Sequence, residues 1–225
     1  MKSKFLILIF SVFFYSDILS ENLSIESEKI SLDKNKNTSI FENKVIINTE
    51  GGKKIKSDFA EYDKKLGFIK LKNNITATDE KNNIIKTNYA EYFEKNQILK
   101  TKGLTKIITS ENYIIETEDV TLDNINKFII SKKNTKINDQ NGNVIFLENF
   151  EYKISDNIFK SLGLIKFEDK EKNTYEFSQI YIDTKKRELL GTDIKAFLNH
   201  QDFKVNNKND PRIFANTMRL NDLGS

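Results

Sequence analysis

The sequence predicts an all-β fold built from about seven copies of a 30-residue unit, and three observations predict it. The chain aligns with itself at a spacing of 30 residues: Ile55-Lys-Ser-Asp-Phe-Ala-Glu-Tyr62 matches Ile85-Lys-Thr-Asn-Tyr-Ala-Glu-Tyr92, and the frame continues through Ile115 to Leu122, Ile145 to Tyr152 and Tyr175 to Ile182. Within each copy polarity alternates with a period of two, as a strand with one buried face requires. No window carries the i, i+3, i+4, i+7 apolar stripe of a globular helix. An earlier copy lies at Ile25 to Leu32, and a last one at Ile213 to Leu220 is displaced by an insertion of eight residues within about 199–212. Units of this length bury a continuous core only by stacking on their neighbours.

Each column of the repeat has a defined character. One reads Ile30, Ala60, Ala90, Val120, Phe150, Ile180, Met218, and a second reads Leu32, Tyr62, Tyr92, Leu122, Tyr152, Ile182, Leu220. Both are apolar or aromatic. The position between them reads Ser31, Glu61, Glu91, Thr121, Glu151, Tyr181, Arg219, which assigns it to the solvated face. Each copy opens on another apolar position, occupied by Ile55, Ile85, Ile115 and Ile145. The second half of the unit adds the runs Phe68-Ile69-Lys-Leu71, Ile98-Leu99, Phe128-Ile129-Ile130 and Ile158-Phe159. Turn formers separate these runs: Asp63-Lys-Lys, Asp123-Asn and Asp183-Thr-Lys-Lys before the second strand, and Asn73-Asn, Gly103, Asn134 and Gly163 after it. Two to three short strands per unit are expected.

Residues 1–20 have their own pattern: Lys2 and Lys4, an apolar run from Phe5 to Tyr15 broken by Ser11, then Ile18-Leu-Ser20. This is the pattern of a secretory signal peptide cleaved after Ser20, and the apolar run is short for a membrane span, which takes about 20 residues. Residues 21–225 then form a single domain, with no linker composition interrupting the repeat. There is no cysteine, so disulfides, thiol catalysis and cysteine metal sites are excluded. A net charge of +3, spread over alternating acidic and basic residues, gives no electrostatic support for a nucleic-acid partner.

Little in the chain points to catalysis. His200 is the lone histidine and falls in the polar insertion, reading as an exposed loop residue. Phosphate loops, nucleophile elbows and His-Glu-x-x-His are missing. Glu61, Glu91 and Glu151 recur on the polar face and do not read as the carboxylate pair of a glycosidase. A non-enzyme with no metal and no cofactor is expected.

The segment Ser57-Asp-Phe-Ala-Glu-Tyr-Asp63 through Gly67-Phe-Ile-Lys-Leu-Lys-Asn-Asn-Ile75 resembles the OstA-like domain of the lipopolysaccharide transport system, and the resemblance covers residues 25 to 220. It implies an elongated antiparallel β-jellyroll, V-shaped in section, whose apolar interior carries lipopolysaccharide acyl chains across the periplasm of a Gram-negative bacterium. The groove residues it implies are Ile30, Leu32, Ile55, Ala60, Tyr62, Ile85, Ala90, Tyr92, Ile115, Val120, Leu122, Ile145, Phe150, Tyr152, Ile180 and Ile182. The implied partners are lipopolysaccharide, other OstA-like transport subunits joined by edge-strand pairing, and outer-membrane assembly components. Within the family, the chain length, the cleavable signal and Asn209-Asp-Pro-Arg-Ile-Phe214 favour the periplasmic domain of the outer-membrane assembly member (LptD), ending before its barrel. Identical apolar pairs every 30 residues would spread affinity evenly along the groove. The alternative is an exported, closed β-solenoid serving as a structural or adhesin module; an enzyme of polysaccharide turnover is a third and weaker reading.

Overall fold

The computed structural model describes residues 23–33, 37–49, 52–186, 188–198 and 212–221. The expected signal peptide, His200, Pro211 and nearly all of the expected insertion lie outside the described residues. Those described form one sheet of eighteen strands, every pairing antiparallel, with no helix. The chain traverses the sheet back and forth, reversing every 15 residues or so, and several traverses are split in two at mid-length, as in Ile98–Thr101 followed by Leu104–Ile108. The 30-residue repeat is therefore one traverse out and one back. Ile55 sits opposite Ile47 on one side and Ala77 on the other, while Ala60 faces Phe41 and Leu71. Equivalent residues such as Ala60 and Ala90 lie two strands apart, about 9.6 Å. A solenoid would stack them directly in parallel coils, and this register is incompatible with that alternative.

At the middle of each traverse the sheet folds. Registers shift between Glu42 and Val45, Lys56 and Phe59, Lys72 and Ile75, and Leu162 and Ile165. Residues at mid-traverse include Asn43 (φ 63°), Asn73 (62°) and Gly163 (106°) in these gaps, Gly103 (74°) in the break between Thr101 and Leu104, and Asp193 (52°), all in the left-handed region and 30 or 60 residues apart. The sequence reading placed chain reversals at Asn73-Asn, Gly103, Asn134 and Gly163. They are bends within a traverse that continues in the same sheet, so each unit is two long bent traverses. The residue types that make tight turns also make bulges, because both need positive φ, and composition alone does not separate the two. At Gly163 the need is strict, since a φ of 106° is one that residues with a side chain rarely adopt.

Reversals do occur where Asp63, Asp123 and Asp183 were read as turn formers. Their Oδ1 atoms accept the backbone N–H of Leu66 (3.0 Å), Asn126 (2.8 Å) and Lys186 (2.9 Å). The opposite end of the sheet reverses through a turn the sequence reading passed over. There Asp79, Asp139 and Asp169 each accept the backbone N–H of the asparagine four residues on through Oδ1, and that asparagine's Nδ2 through Oδ2.

The bends divide the sheet into two limbs. Ala60, Ile69, Leu71 and Ala90 on the first limb, and Val45, Ile47 and Ile165 on the second, are 0% exposed. A single sheet with no covering helix buries one face this completely only when one limb lies on the other. Size complementarity supports this: the Phe177 ring of the second limb fills the space left by Gly191 on the first. Phe150 and Phe159 stack beside it at 5.4 Å between centroids.

Folding a ladder breaks backbone hydrogen bonds inside the corner, where water does not reach. Buried hydroxyls replace them. Ser57 donates to Phe59 O, Thr105 to Gly103 O, Thr135 to Lys133 O, Ser131 to Glu118 O and Ser161 to Asn149 O, at 2.6–3.1 Å. Thr101 Oγ1 accepts the Val120 N–H at 2.9 Å and lies 2.8 Å from Thr105 Oγ1. Thr117 joins Ser131 and Thr135 at 3.0 and 2.9 Å. Thr101→Val keeps the shape but leaves a buried N–H unpaired, and urea unfolding should show a loss of about 1–3 kcal/mol. Gly191→Leu, which drives a side chain into the Phe177 ring, should cost about 1–3 kcal/mol, with part recovered in the Gly191→Leu/Phe177→Ala double variant.

Candidate functional site

The space enclosed by the limbs is lined by four rows of inward residues. Two corner rows flank the bend, and two rim rows lie nearer the loops. The corner row of the first limb holds Ile30, Phe41, Ala60, Leu71, Ala90, Thr101, Val120, Ser131, Phe150, Ser161, Ile180 and Gly191; its rim row holds Leu32, Tyr62, Ile69, Tyr92, Leu99, Leu122, Ile129, Tyr152, Phe159, Ile182 and Leu189. Ile55, Ile85, Ile115 and Ile145 sit in the rim row of the second limb, with Ile47 before them and Ala77, Ile107 and Ile137 between them. All sixteen residues expected to form a groove thus face one interior.

Within that interior, Ala60, Ala90, Val120, Phe150 and Ile180 are at most 2% exposed, and Tyr92 is 3% exposed. Tyr62, Leu122, Ile145, Tyr152 and Ile182 are half-buried. At the first traverse the apolar lining reaches solvent, with Ile30 57% and Leu32 69% exposed, and at the last described strand Ile213, opposite the buried Ala196, is 52% exposed. Among the described residues the interior is therefore packed along its middle and open at both ends.

The sequence reading found the returning runs but left them out of the groove; they supply Ile69, Leu71, Leu99 and Phe159 to the rows named above, and their far halves supply Ile75, Ile107, Ile137 and Ile165 to the other limb. It also missed the corner hydroxyls, although Ser57, Thr87 and Thr117 stand 30 residues apart, as do Thr101, Ser131 and Ser161. These hydroxyls make the interior non-uniform. From Thr87 to Thr135 the corner is lined mainly by threonine and serine, while on either side it is lined mainly by Val45, Leu71 and Ile75 or by Leu147, Phe150 and Ile165.

Tyrosines mark the rim, rings inward and hydroxyls at the loops. Tyr62 donates to Glu94 Oε2 at 3.0 Å, Tyr175 donates to Asp169 Oδ2 at 3.3 Å, and the Tyr152 hydroxyl lies 3.4 Å from Thr184 Oγ1. Burial, then the neighbouring Glu94 and Asp63 charges, push the Tyr62 phenol up to about 12. Outside, the recurrent glutamates pair across strands: Glu61 with Lys70 (3.1 Å), Glu91 with Lys102 (2.9 Å) and Glu151 with Lys160 (3.0 Å). The Lys102 hydrogen bond holds the Glu91 carboxyl below its ordinary value against the opposing effect of burial. These are ion pairs of a sheet surface. Among the described residues no cluster of three His, Cys, Asp or Glu is placed to hold a metal, and no helix is long and apolar enough to cross a membrane.

No protein-family model matches the sequence, and no curated protein matches it. Among solved structures, similarity extends to LptH of Pseudomonas aeruginosa, the LptA-homologous periplasmic component of a lipopolysaccharide transport device. It covers 86% of this chain and 93% of that one at 11% identity, with a TM-score of 0.20. The TCP10 domain of Danio rerio CPAP, solved with a STIL peptide, covers 68% of this chain and 96% of its own at 12% identity, with a TM-score of 0.15. At these TM-scores neither assigns a ligand to this interior.

Because the folded pKa of Tyr62 is raised above its unfolded value, its contribution to stability is present below about pH 10 and is lost as the pH rises through about 12. Alkaline unfolding followed by circular dichroism should therefore show a step in that window that Tyr62→Phe reduces. An unchanged step in Tyr62→Phe would remove the Tyr62 assignment.

Proposed function

We propose that this chain binds the acyl chains of lipopolysaccharide in its apolar interior and passes them across the periplasm toward the outer membrane. The observation that carries the proposal is the mainly apolar lining of the two rim rows, together with the exposure of Ile30 and Leu32 at the first traverse. The resemblance of the Ala-Glu-Tyr-Asp unit to OstA-like domains supports it. An acyl chain left in water costs about 0.8 kcal/mol per methylene, so a lipid crossing an aqueous compartment needs such a lining.

The geometry supports a position for the acyl chains between the rim rows. Hydrogen bonds tie the corner together, whereas the rim rows meet through apolar contact, so the limbs part at the rim and hinge at the bends. Acyl chains then occupy the space between the rim rows, entering from an open end. The sixteen residues proposed as the lipid site divide accordingly: Tyr62, Tyr92, Leu122, Tyr152, Ile182, Ile55, Ile85, Ile115 and Ile145 touch lipid along the rim, and Leu32 and Ile30 receive it at the end. Ala60, Ala90, Val120, Phe150 and Ile180 form the floor.

The strands Lys29–Asp33 and Arg212–Asn221, each paired in the sheet on one side among the described residues, extend this lining into partner domains of the same kind by strand addition. The assignment to the outer-membrane assembly member of the family is part of the same proposal. Leu220→Pro, which removes a backbone donor on the last strand, should weaken pairing with a separately expressed OstA-like domain in a pull-down; undiminished pairing would sink the C-terminal edge as a docking site.

A photoactivatable amino acid at Tyr92, irradiated with purified lipopolysaccharide, should give a lipid adduct by mass spectrometry. Ala90→Asp, which places a carboxylate on the floor, should cut that crosslink at least tenfold while Glu91→Ala, on the outer face, leaves it within twofold. Equal losses would refute the inward assignment, provided circular dichroism shows both variants folded.

A further inference from the structure

Across the described registers, lysines on the outer surface face glutamates, aromatic rings or small polar residues in the neighbouring strand. Lys70 stands between Glu61 and Glu91, Glu116 between Lys106 and Lys136, and Glu176 between Lys166 and Lys195. There is one exception. Lys86 and Lys106 sit directly opposite each other, and like charges so placed destabilise a sheet. Lys106 is compensated by Glu116 at 3.3 Å. Lys86 faces Thr76 on its other side and pairs with no carboxylate among the described residues.

This pair lies in an open cavity of about 690 Å³ at the bend on the second limb, whose wall also includes the exposed Leu104 and the corner residues Ile75, Thr87, Thr105 and Thr117. The cavity spans five adjacent strands, about 19 Å at sheet spacing, and its volume falls in the range of small-molecule sites. Around the lysines stand Asn74, Asn88, Glu118 and Asn134. Asn74 is engaged by Asp58 at 2.6 Å, but the Asn88, Glu118 and Asn134 side chains are exposed and make no hydrogen bond among the described residues. The lining therefore offers two free amides, a free carboxylate and an uncompensated ammonium group.

We propose that this cavity is a binding site for an acidic saccharide. A carboxylate or phosphate on the sugar sits between Lys86 and Lys106 and relieves their repulsion, a charge-assisted contact stronger than a neutral one. Amides donate to and accept from sugar hydroxyls through two donors and one oxygen each, and the Glu118 carboxylate accepts from hydroxyls. The site is independent of the interior and stands whether or not the interior carries lipid.

The test uses the chain from residue 21 onward, with three probes: trigalacturonate as acidic saccharide, maltotriose as neutral saccharide of the same length, and citrate as an acid without sugar rings. Amide shifts in 15N-labelled protein, titrated at low salt, should move at residues 74–76, 86–88, 104–106, 116–118 and 134 with trigalacturonate. Maltotriose and citrate should each bind at least fivefold more weakly. Lys86→Gln should weaken trigalacturonate at least tenfold with thermal stability unchanged or higher, because it removes a repulsion, while Lys70→Gln on the other limb changes binding less than twofold. Citrate binding as well as trigalacturonate, shifts outside the cavity, or unaltered affinity in Lys86→Gln would each overturn the proposal.

Discussion

The fold depends on the bend at the middle of each traverse. A single sheet without helices has no second layer to cover its apolar face, and burying that face at about 25 cal/mol per Å² is what makes it stable. The chain solves this by supplying its own second layer. The traverses turn at the same height, several of them through residues in the left-handed region such as Asn43, Asn73, Gly103 and Gly163, and the two limbs close over one interior. The cost of the bend is a set of backbone groups stripped of ladder partners inside a dry corner. Serine and threonine hydroxyls answer it one bend at a time, and this is why a core otherwise built of isoleucine, leucine and phenylalanine carries Thr87, Thr101, Thr105, Thr117, Ser131 and Thr135 fully inside.

The bend also divides the interior by function. The corner is held by directional bonds and, near Gly191, by interlocking shapes, so it opens at the cost of both. The rim is held by apolar contact between rows of isoleucine, leucine and tyrosine, which a ligand of the same character replaces without loss. In the middle of the chain the corner is the most polar and the rim remains apolar, with Leu99, Ile107, Ile115 and Ile137 buried. The evenly distributed affinity that an identical repeat suggests therefore does not describe the corner. A path of uniform character runs along the rim alone.

Much of this was legible in the sequence because a period of 30 with alternating polarity leaves few options besides stacked strands. The columns through Ala60 and Tyr62 point inward as the alternation requires, and the aspartates at 63, 123 and 183 make the turns they signal. Two things were hidden. A glycine or asparagine permits both a reversal and a bulge, so Asn73, Gly103 and Gly163 read as chain ends when they mark corners. The returning runs are visible as apolar segments, but antiparallel pairing inverts their order, and only the register shows that Ile69 and Leu71 line the same rows as Tyr62 and Ala60. The hydroxyl columns at Ser57, Thr87 and Thr117 were visible as spacing, but their meaning depends on a corner that no one-dimensional pattern displays. The cavity at Lys86 and Lys106 is hidden for the same reason, since the two lysines are 20 residues apart and meet only through the register.

The central claim is that lipid lies between the rim rows and leaves the corner closed. Isoleucine methyl-labelled protein mixed with a protonated rough-type lipopolysaccharide measures this through intermolecular nuclear Overhauser effects. The account predicts contacts from the acyl methylenes to the methyls of Ile69, Ile85, Ile107, Ile115 and Ile129, with Ile75 and Ile165 in the corner silent. Contacts to the corner isoleucines at equal strength, or contacts confined to outward residues such as Ile40 and Ile130, would contradict it.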